Sequence, residues 1–277
     1  MHSDMGAAAR AVGARSEHDL AGGVAIVTGG CGPIGAAVCG ALAAQGVEVH
    51  AFDVDPAIEH DQAAGVTGHV LDVADSAAVE ALVREVGAAA GVDILVNNAG
   101  TNIRSDPFAV DQTTWDHIMD VNLQGYFTLA RAVARGQVQR GRGAAIVNVS
   151  STAATSALGR GNLVYALSKA AVNQLTRELA VEWAVHGIRV NAVQPAQVAT
   201  PAWEQQRQTP EGKRLYERVV SGIPMGRLVR PDELVGPILF LASPAASMVT
   251  GAVLPVDGGN LALNASGSLP ETPDPRG

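Results

Sequence analysis

The sequence predicts an α/β protein: a single doubly wound domain whose seven-stranded, mostly parallel sheet carries helices on both faces. Three observations lead there. Seven short apolar runs recur at regular intervals and alternate with helical patterns, the rhythm of parallel strands joined by helical crossovers. The first runs are continuously apolar, as strands covered on both faces are. The composition is 47% hydrophobic but only 4% aromatic, with abundant Ala, Val and Gly. That mix suits helices packed closely on a Val/Ile-rich sheet.

Each element can be justified in chain order. The first strand, Val24–Val27, runs into a glycine-rich turn, Thr28-Gly29-Gly30-Cys31-Gly32-Pro33-Ile34-Gly35. A helix follows over Ile34–Gln45. Pro33 suits its first turn, where a missing N–H costs nothing, and Gly46 ends it as a C-cap. The second strand, Val47–Phe52, leads into Asp53. The third, Thr67–Leu71, precedes a helix over Ser76–Ala89. The fourth, Ile94–Asn97, opens onto Asn98-Ala99-Gly100, and a long helix is expected over Thr114–Val133. The fifth, Ala145–Val149, ends in Ser150-Ser151 and leads to a helix over Val164–His186. After the sixth strand, Arg189–Val193, the segment Trp203–Ser221 breaks the rhythm with Gln, Thr-Pro and charge. It is a candidate lid at the carboxyl edge of the sheet. A helix over Asp232–Leu241 and a strand over Val253–Val256 complete the pattern. Met1–Leu20 reads as a flexible arm without the apolar core of a signal peptide, and 264–277 as a disordered tail. The folded domain is therefore expected over 21–263.

The formal charge of −8 argues against nucleic acid or an anionic membrane as partner. No apolar run approaches the roughly 18 residues of a membrane span. Two cysteines, Cys31 and Cys39, fall around one turn and helix. A disulfide framework is not expected, and a reducing, cytoplasmic setting is. No metal-ligand pattern is present.

The glycine turn lets backbone approach a pyrophosphate closely, with a helix N-terminus facing the anion. Gly30-x-Gly32-x-x-Gly35 has the general dinucleotide spacing; a plain tight turn is the bland alternative. Asp53, 24 residues beyond Gly29, can accept both adenosine ribose hydroxyls and repel a 2′-phosphate, with Asp55 as the alternative. Tyr165 and Lys169 lie four residues apart, hence on one helical face. An ammonium beside a phenol favours the phenolate, and is expected to lower the Tyr165 pKa toward working pH. Such a pair serves proton transfer at a hydroxyl or carbonyl oxygen.

These residues resemble the short-chain dehydrogenase/reductase family over roughly 22–260. Thr28-Gly29 through Gly35 resembles its phosphate turn, with Gly32 and Ile34 inside it. Asp72-Val73 resembles its adenine-binding pair, and Asn97-Asn98-Ala99-Gly100 its fourth-strand signature. Asn122, Ser151, Tyr165 and Lys169 match its active constellation. Pro195 to Thr200, with Val198, resembles its nicotinamide loop, and Asp257-Gly258-Gly259 its C-terminal motif. The resemblance implies a Rossmann-type, NAD-dependent oxidoreductase that moves a hydride to or from a secondary alcohol or ketone, usually as a homotetramer built on the long helices. By the same resemblance Tyr165 is the acid/base, Lys169 lowers its pKa and holds the nicotinamide ribose, and Ser151 bonds the substrate oxygen. Asn122 holds a water linking Lys169 to solvent. Thr28, Gly29, Gly32, Ile34, Gly35, Asp53, Asp72, Val73, Asn98, Val198 and Thr200 line the cofactor site. Two alternatives are an NADPH-dependent 3-ketoacyl reductase, which would want a basic residue near the glycine turn or Asp53, and a nucleotide-binding regulator without turnover.

There are departures from the family pattern. Pro33 and Ala196 stand where glycine is usual. Ser151 lies 14 residues before Tyr165, one more than expected, so Thr152 is the alternative source of the hydroxyl. The stretch from Asn97 to Arg104 resembles gluconate- and deoxygluconate-type members. There Arg104 would grip the carboxylate of a sugar acid; otherwise it is a surface arginine paired with Asp106. The expected substrate is a small polar molecule, a sugar acid or polyol.

Overall fold

The computed structural model describes residues 19–60 and 62–263. Strands β1 (Val24–Thr28), β2 (Glu48–Asp53), β3 (Val66–Val70), β4 (Ile94–Asn97), β5 (Ala145–Val149), β6 (Arg189–Pro195) and β7 (Val253–Val256) form one sheet in the order β3-β2-β1-β4-β5-β6-β7. Every neighbouring pair is parallel, so the expected mostly parallel sheet is wholly so. Among the described residues eight helices surround it: α1 (Pro33–Ala44), α2 (Ser76–Val86), α3 (Gln112–Met119), α4 (Gly125–Gln139), α5 (Leu163–Trp183), α6 (Pro201–Gln206), α7 (Pro210–Val220) and α8 (Val235–Ala242).

The central strands divide their side chains between two cores with a period of two. Ala25, Val27, Ile94, Val96, Val147 and Val149 face a core closed by Val38 and Leu42 of α1 and by Ile238 and Leu241 of α8. Ile26, Leu95 and Ile146 point the other way, onto Val79 and Val83 of α2, Leu129 and Val133 of α4, and Leu179 of α5. Burying each of the Val, Leu and Ile side chains among these stabilises the fold by about 1.5–3 kcal/mol. That double burial is why the runs are continuously apolar.

The structure corrects the expected boundaries in five places. The long helix over Thr114–Val133 is interrupted by a wide π-type turn, Asp120–Gln124, and continues as far as Gln139. The cause lies in the turn itself: the Asn122 side chain bonds the backbone of Thr101 through both its oxygen and its nitrogen. The segment expected as a candidate lid starts at Pro201 and holds two helices, α6 and α7, capped by the Thr200 and Thr209 hydroxyls. Helix α2 stops at Val86, and the helix expected over Asp232–Leu241 is a short 3-10 turn, Pro231–Leu234, followed by α8. Leu20, expected at the end of the arm, is instead buried against the α1 core. The rest of the expected arm, and the expected tail, lie outside the described residues.

Candidate active site

The strand order reverses between β1 and β4, and a crevice opens there beyond the carboxyl ends of the strands. Two adjoining clefts occupy it. One, of about 580 Å³, is lined by Gly29, Gly32, Asp53, Asp72, Val73 and their neighbours. The other, of about 670 Å³, is lined by Ser151, Tyr165, Lys169, Arg104, Val198 and the start of the lid. They share Ile34, Asn98, Gly100, Thr101 and Thr200, so together they form one trough.

The glycine turn is built to admit an anion. At Gly35 a Cβ would collide with the Gly29 carbonyl oxygen, so only glycine lets α1 start this close to β1. No side chain caps α1, which begins at Pro33 beside the cleft, so the amides of its first turn have no side-chain acceptor. Asp53 is pinned at the rim: its carboxylate accepts the Cys31 N–H at 2.9 Å and the Asp55 N–H at 3.1 Å. Asp55 lines the same cleft but is occupied as a cap, accepting from Ala57 N–H. Three aspartates and no lysine or arginine line this cleft. Glycine turn, open helix start and fixed carboxylate fit the adenosine and pyrophosphate of a dinucleotide.

Thr28 and Asn98 serve this turn from behind. The fully buried Thr28 hydroxyl accepts from the Asn98 and Ala99 amides, and Asn98 Nδ2 donates to the Thr28 and Gly29 carbonyls. The Thr28 side chain therefore ties β1 to β4 and is turned away from the cleft. Asn98 does both: it braces the turn and lines the trough.

In the second cleft, the Ser151 hydroxyl accepts the Ala153 N–H and is hydrogen-bonded to Tyr165. Gln194 holds that segment by donating to the Ser151 carbonyl and the Thr155 hydroxyl. Ser151, and not Thr152, lines the cleft, so the extra residue before Tyr165 is absorbed by the connecting loop. Lys169 departs from expectation. Its ammonium donates to Tyr126 Oη at 3.1 Å and to the Val149 carbonyl at 2.9 Å, and stands 6.0 Å from the Tyr165 ring centre. Burial pushes the Tyr165 phenol above its ordinary value, and only the Ser151 bond opposes this. The expected lowering by Lys169 is thus not the state of this site. Lys169 itself is pushed down to about 7 by burial. An ammonium with so low a pKa is a weaker electrostatic partner for a phenolate than an ordinary lysine.

Asn122 is fully buried in the wide turn. Its Oδ1 accepts from Thr101 N, and its Nδ2 donates to Thr101 O and Ser168 Oγ. Both side-chain donors are occupied. Its Oδ1 and the Lys169 ammonium flank Gly100: a Cβ there would stand 3.4 Å from one and 3.6 Å from the other. Arg104 lines the cleft, and the expected pairing with Asp106 does not form; the Asp106 carboxylate accepts the Phe108 N–H instead.

A family profile described as "Enoyl-(Acyl carrier protein) reductase" matches residues 31–260. The chain belongs to the short-chain dehydrogenase/reductase family. Like the family it is an oxidoreductase acting on CH–OH groups. Galactitol 2-dehydrogenase (L-tagatose-forming) of Cereibacter sphaeroides is 44% identical over 88% of this chain and 97% of its own length. A putative NAD(P)-dependent gluconate 5-dehydrogenase from Beutenbergia cavernae superposes with a TM-score of 0.82 at 36% identity, over 90% of this chain and all of that one. A gluconate 5-dehydrogenase from Burkholderia cenocepacia, in complex with NADP and tartrate, does so with a TM-score of 0.80 at 32% identity, over 90% and 98%.

Sequence reasoning from the family missed Tyr126, Gln194 and Arg160. Tyr126 lies one helical turn beyond Asn122, a spacing that puts both on one face, and it supplies the buried partner of Lys169. Gln194 carries no pattern of its own; the pairing of β5 with β6 brings it to Ser151. Arg160 stands between two glycines, a legible oddity.

Proposed function

We propose that the protein oxidises a secondary hydroxyl of a sugar acid or polyol, or reduces the matching ketone, with NAD(H) in preference to NADP(H). The observation that carries the cofactor choice is Asp53, fixed at the rim of a cleft with two further aspartates and no lysine or arginine. A pinned carboxylate suits two ribose hydroxyls and repels a phosphate at the same place. The structural relatives are described as NAD(P)-dependent or in complex with NADP, so this choice rests on the chain's own residues. It also disfavours an NADPH-dependent ketoacyl reductase.

In this reading Gly29, Gly32, Ile34 and Gly35 hold the pyrophosphate, Asp72 and Val73 flank the adenine, and Val198 and Thr200 border the nicotinamide. The nicotinamide, when bound, exchanges hydride with the substrate carbon. The protein's part is proton handling and orientation. Ser151 donates to the substrate oxygen and Tyr165 exchanges its proton. Lys169 must leave Tyr126 and Val149, or be charged beside a ribose, to favour the phenolate. Asn122 fixes Thr101 and so the floor under that oxygen. Arg104 is placed to meet a carboxylate.

A homotetramer is proposed, because α5 and its extension leave Leu163, Leu167, Val181 and Val185 exposed, together with Val138 of α4. Among the described residues no helix is long and apolar enough to cross a membrane; a cytoplasmic setting is the reading of the two cysteines. The test is NADH formation over a panel of four- to six-carbon aldonates and alditols with both cofactors. Turnover confined to acyl thioesters or to NADP would refute the proposal.

A further inference from the structure

Two arginines enter the catalytic cleft from loops that are stapled together. Arg104 follows β4 and Arg160 precedes α5; both line the cleft with Ser151 and Tyr165. No carboxylate lines it, although the chain as a whole carries a charge of −8. Arg160 is the single non-glycine residue with positive φ among the described residues, at +56°, between Gly159 at +63° and Gly161 at +74°. Left-handed backbone is unfavourable for a residue with a Cβ and persists where the surroundings over-determine it.

Those surroundings are well defined. Asn162 is buried; its Nδ2 donates to the Gly159 carbonyl at 2.6 Å, and its Oδ1 accepts from Asn102 Nδ2 at 2.9 Å. Ser105 N–H donates to the Gly161 carbonyl at 3.1 Å, and a Cβ on Gly161 would come within 2.8 Å of the Ser105 oxygen. The loop carrying Arg160 is therefore locked against 102–105, which carries Arg104. Neither guanidinium forms an ion pair among the described residues. Asp106 lines the shallow hollow behind both, its carboxylate bonded to the Phe108 amide. Burial pushes the Arg160 guanidinium below its ordinary value, and the charges of Arg104 and of Arg218 on α7 add to that. Like charges gathered at a left-handed backbone position, in a reaction cleft that no carboxylate lines, leave a place for an anion.

We propose that Arg160 is a specificity-determining residue that joins Arg104 in gripping the carboxylate of an acyclic sugar acid, so that aldonates are taken in preference to the matching alditols. This rests on the oxidoreductase reading above and narrows its substrate class to anions. A carboxylate has two oxygens and four lone-pair directions, enough for two guanidinium forks.

Arg160→Gly is the suitable variant, because glycine takes the left-handed backbone without strain and removes only the side chain. Isothermal titration of C4–C6 aldonates and their alditols, with and without NADH, is expected to show the aldonate Kd raised about ten- to a hundredfold, the range for a lost charge-assisted hydrogen bond. The alditol Kd stays within about twofold of wild type and the melting temperature does not fall. In turnover the aldonate KM rises while kcat changes little, and Arg160→Lys recovers part of the loss. Equal effects on acid and alditol, or a wild type that binds no aldonate more tightly than its alditol, overturns the proposal. If wild type turns over neither class, the catalytic reading fails separately, and the titration still decides Arg160.

Discussion

Replacing Lys169 with methionine should make the cofactor-free protein more stable near pH 6, and the advantage should vanish as pH rises. The side chain is 3% exposed, and burial pulls its pKa from an ordinary 10.5 to about 7. A lysine lowered in this way binds its proton more weakly when folded than when unfolded. Between about pH 7 and 10.5 the unfolded chain therefore holds more protons, and stability rises with pH. Below about pH 7 the full penalty is present. At about 1.4 kcal/mol for each pH unit, that penalty is about 5 kcal/mol as an upper value. Methionine has a similar stem and no charge. It forfeits the bonds to Tyr126 and the Val149 carbonyl, about 1 kcal/mol each. Those two groups remain bonded to each other at 3.2 Å, so neither is left unsatisfied. The net expectation is a gain of about 3 kcal/mol at pH 6, shrinking through zero toward pH 9–10. Denaturant unfolding of both proteins from pH 6 to 10 measures the gap, and groups common to both cancel. A gap that does not change with pH, or a variant less stable at pH 6, would refute the reasoning.

Tyr165→Phe should lower kcat about a hundredfold or more while NADH binding, followed by fluorescence, stays near wild type. Turnover close to wild type would remove Tyr165 from the acid/base role. Asp53→Ser should narrow or reverse the ratio of kcat/KM for NAD over NADP, since two fixed acceptors and a repulsive charge are lost together; an unchanged ratio would assign selectivity elsewhere. Leu20→Ala should cost about 2–3 kcal/mol in chemical denaturation, because Leu20 packs on the α1 core. No loss would return residue 20 to the arm.

The sequence by itself determined the alternation of strands and helices, because burial on both sheet faces forces continuous apolar runs. It also determined the glycine turn, since Gly35 stands where any Cβ would meet the Gly29 oxygen. The spacing of Tyr165 and Lys169 placed both on one helix by periodicity alone. Spacing could not say where the Lys169 ammonium points. That is decided by Tyr126 and Val149, which come from another helix and another strand and are brought in by packing. The Tyr165 shift depends on the same packing: proximity along a helix is local, but desolvation, which raises the phenol here, depends on everything around the ring. Thr28 reads as a phosphate-turn residue, and its hydroxyl proves to be occupied by the β4 amides. The break at Asn122 was hidden because its cause, the Thr101 backbone, lies 21 residues away. Arg160 and Arg104 are far apart in sequence and meet in one cleft because Asn102, Ser105 and Asn162 bind their loops together. Local pattern fixes what each segment becomes, while charge state and side-chain direction belong to the packed neighbours that only the tertiary structure supplies.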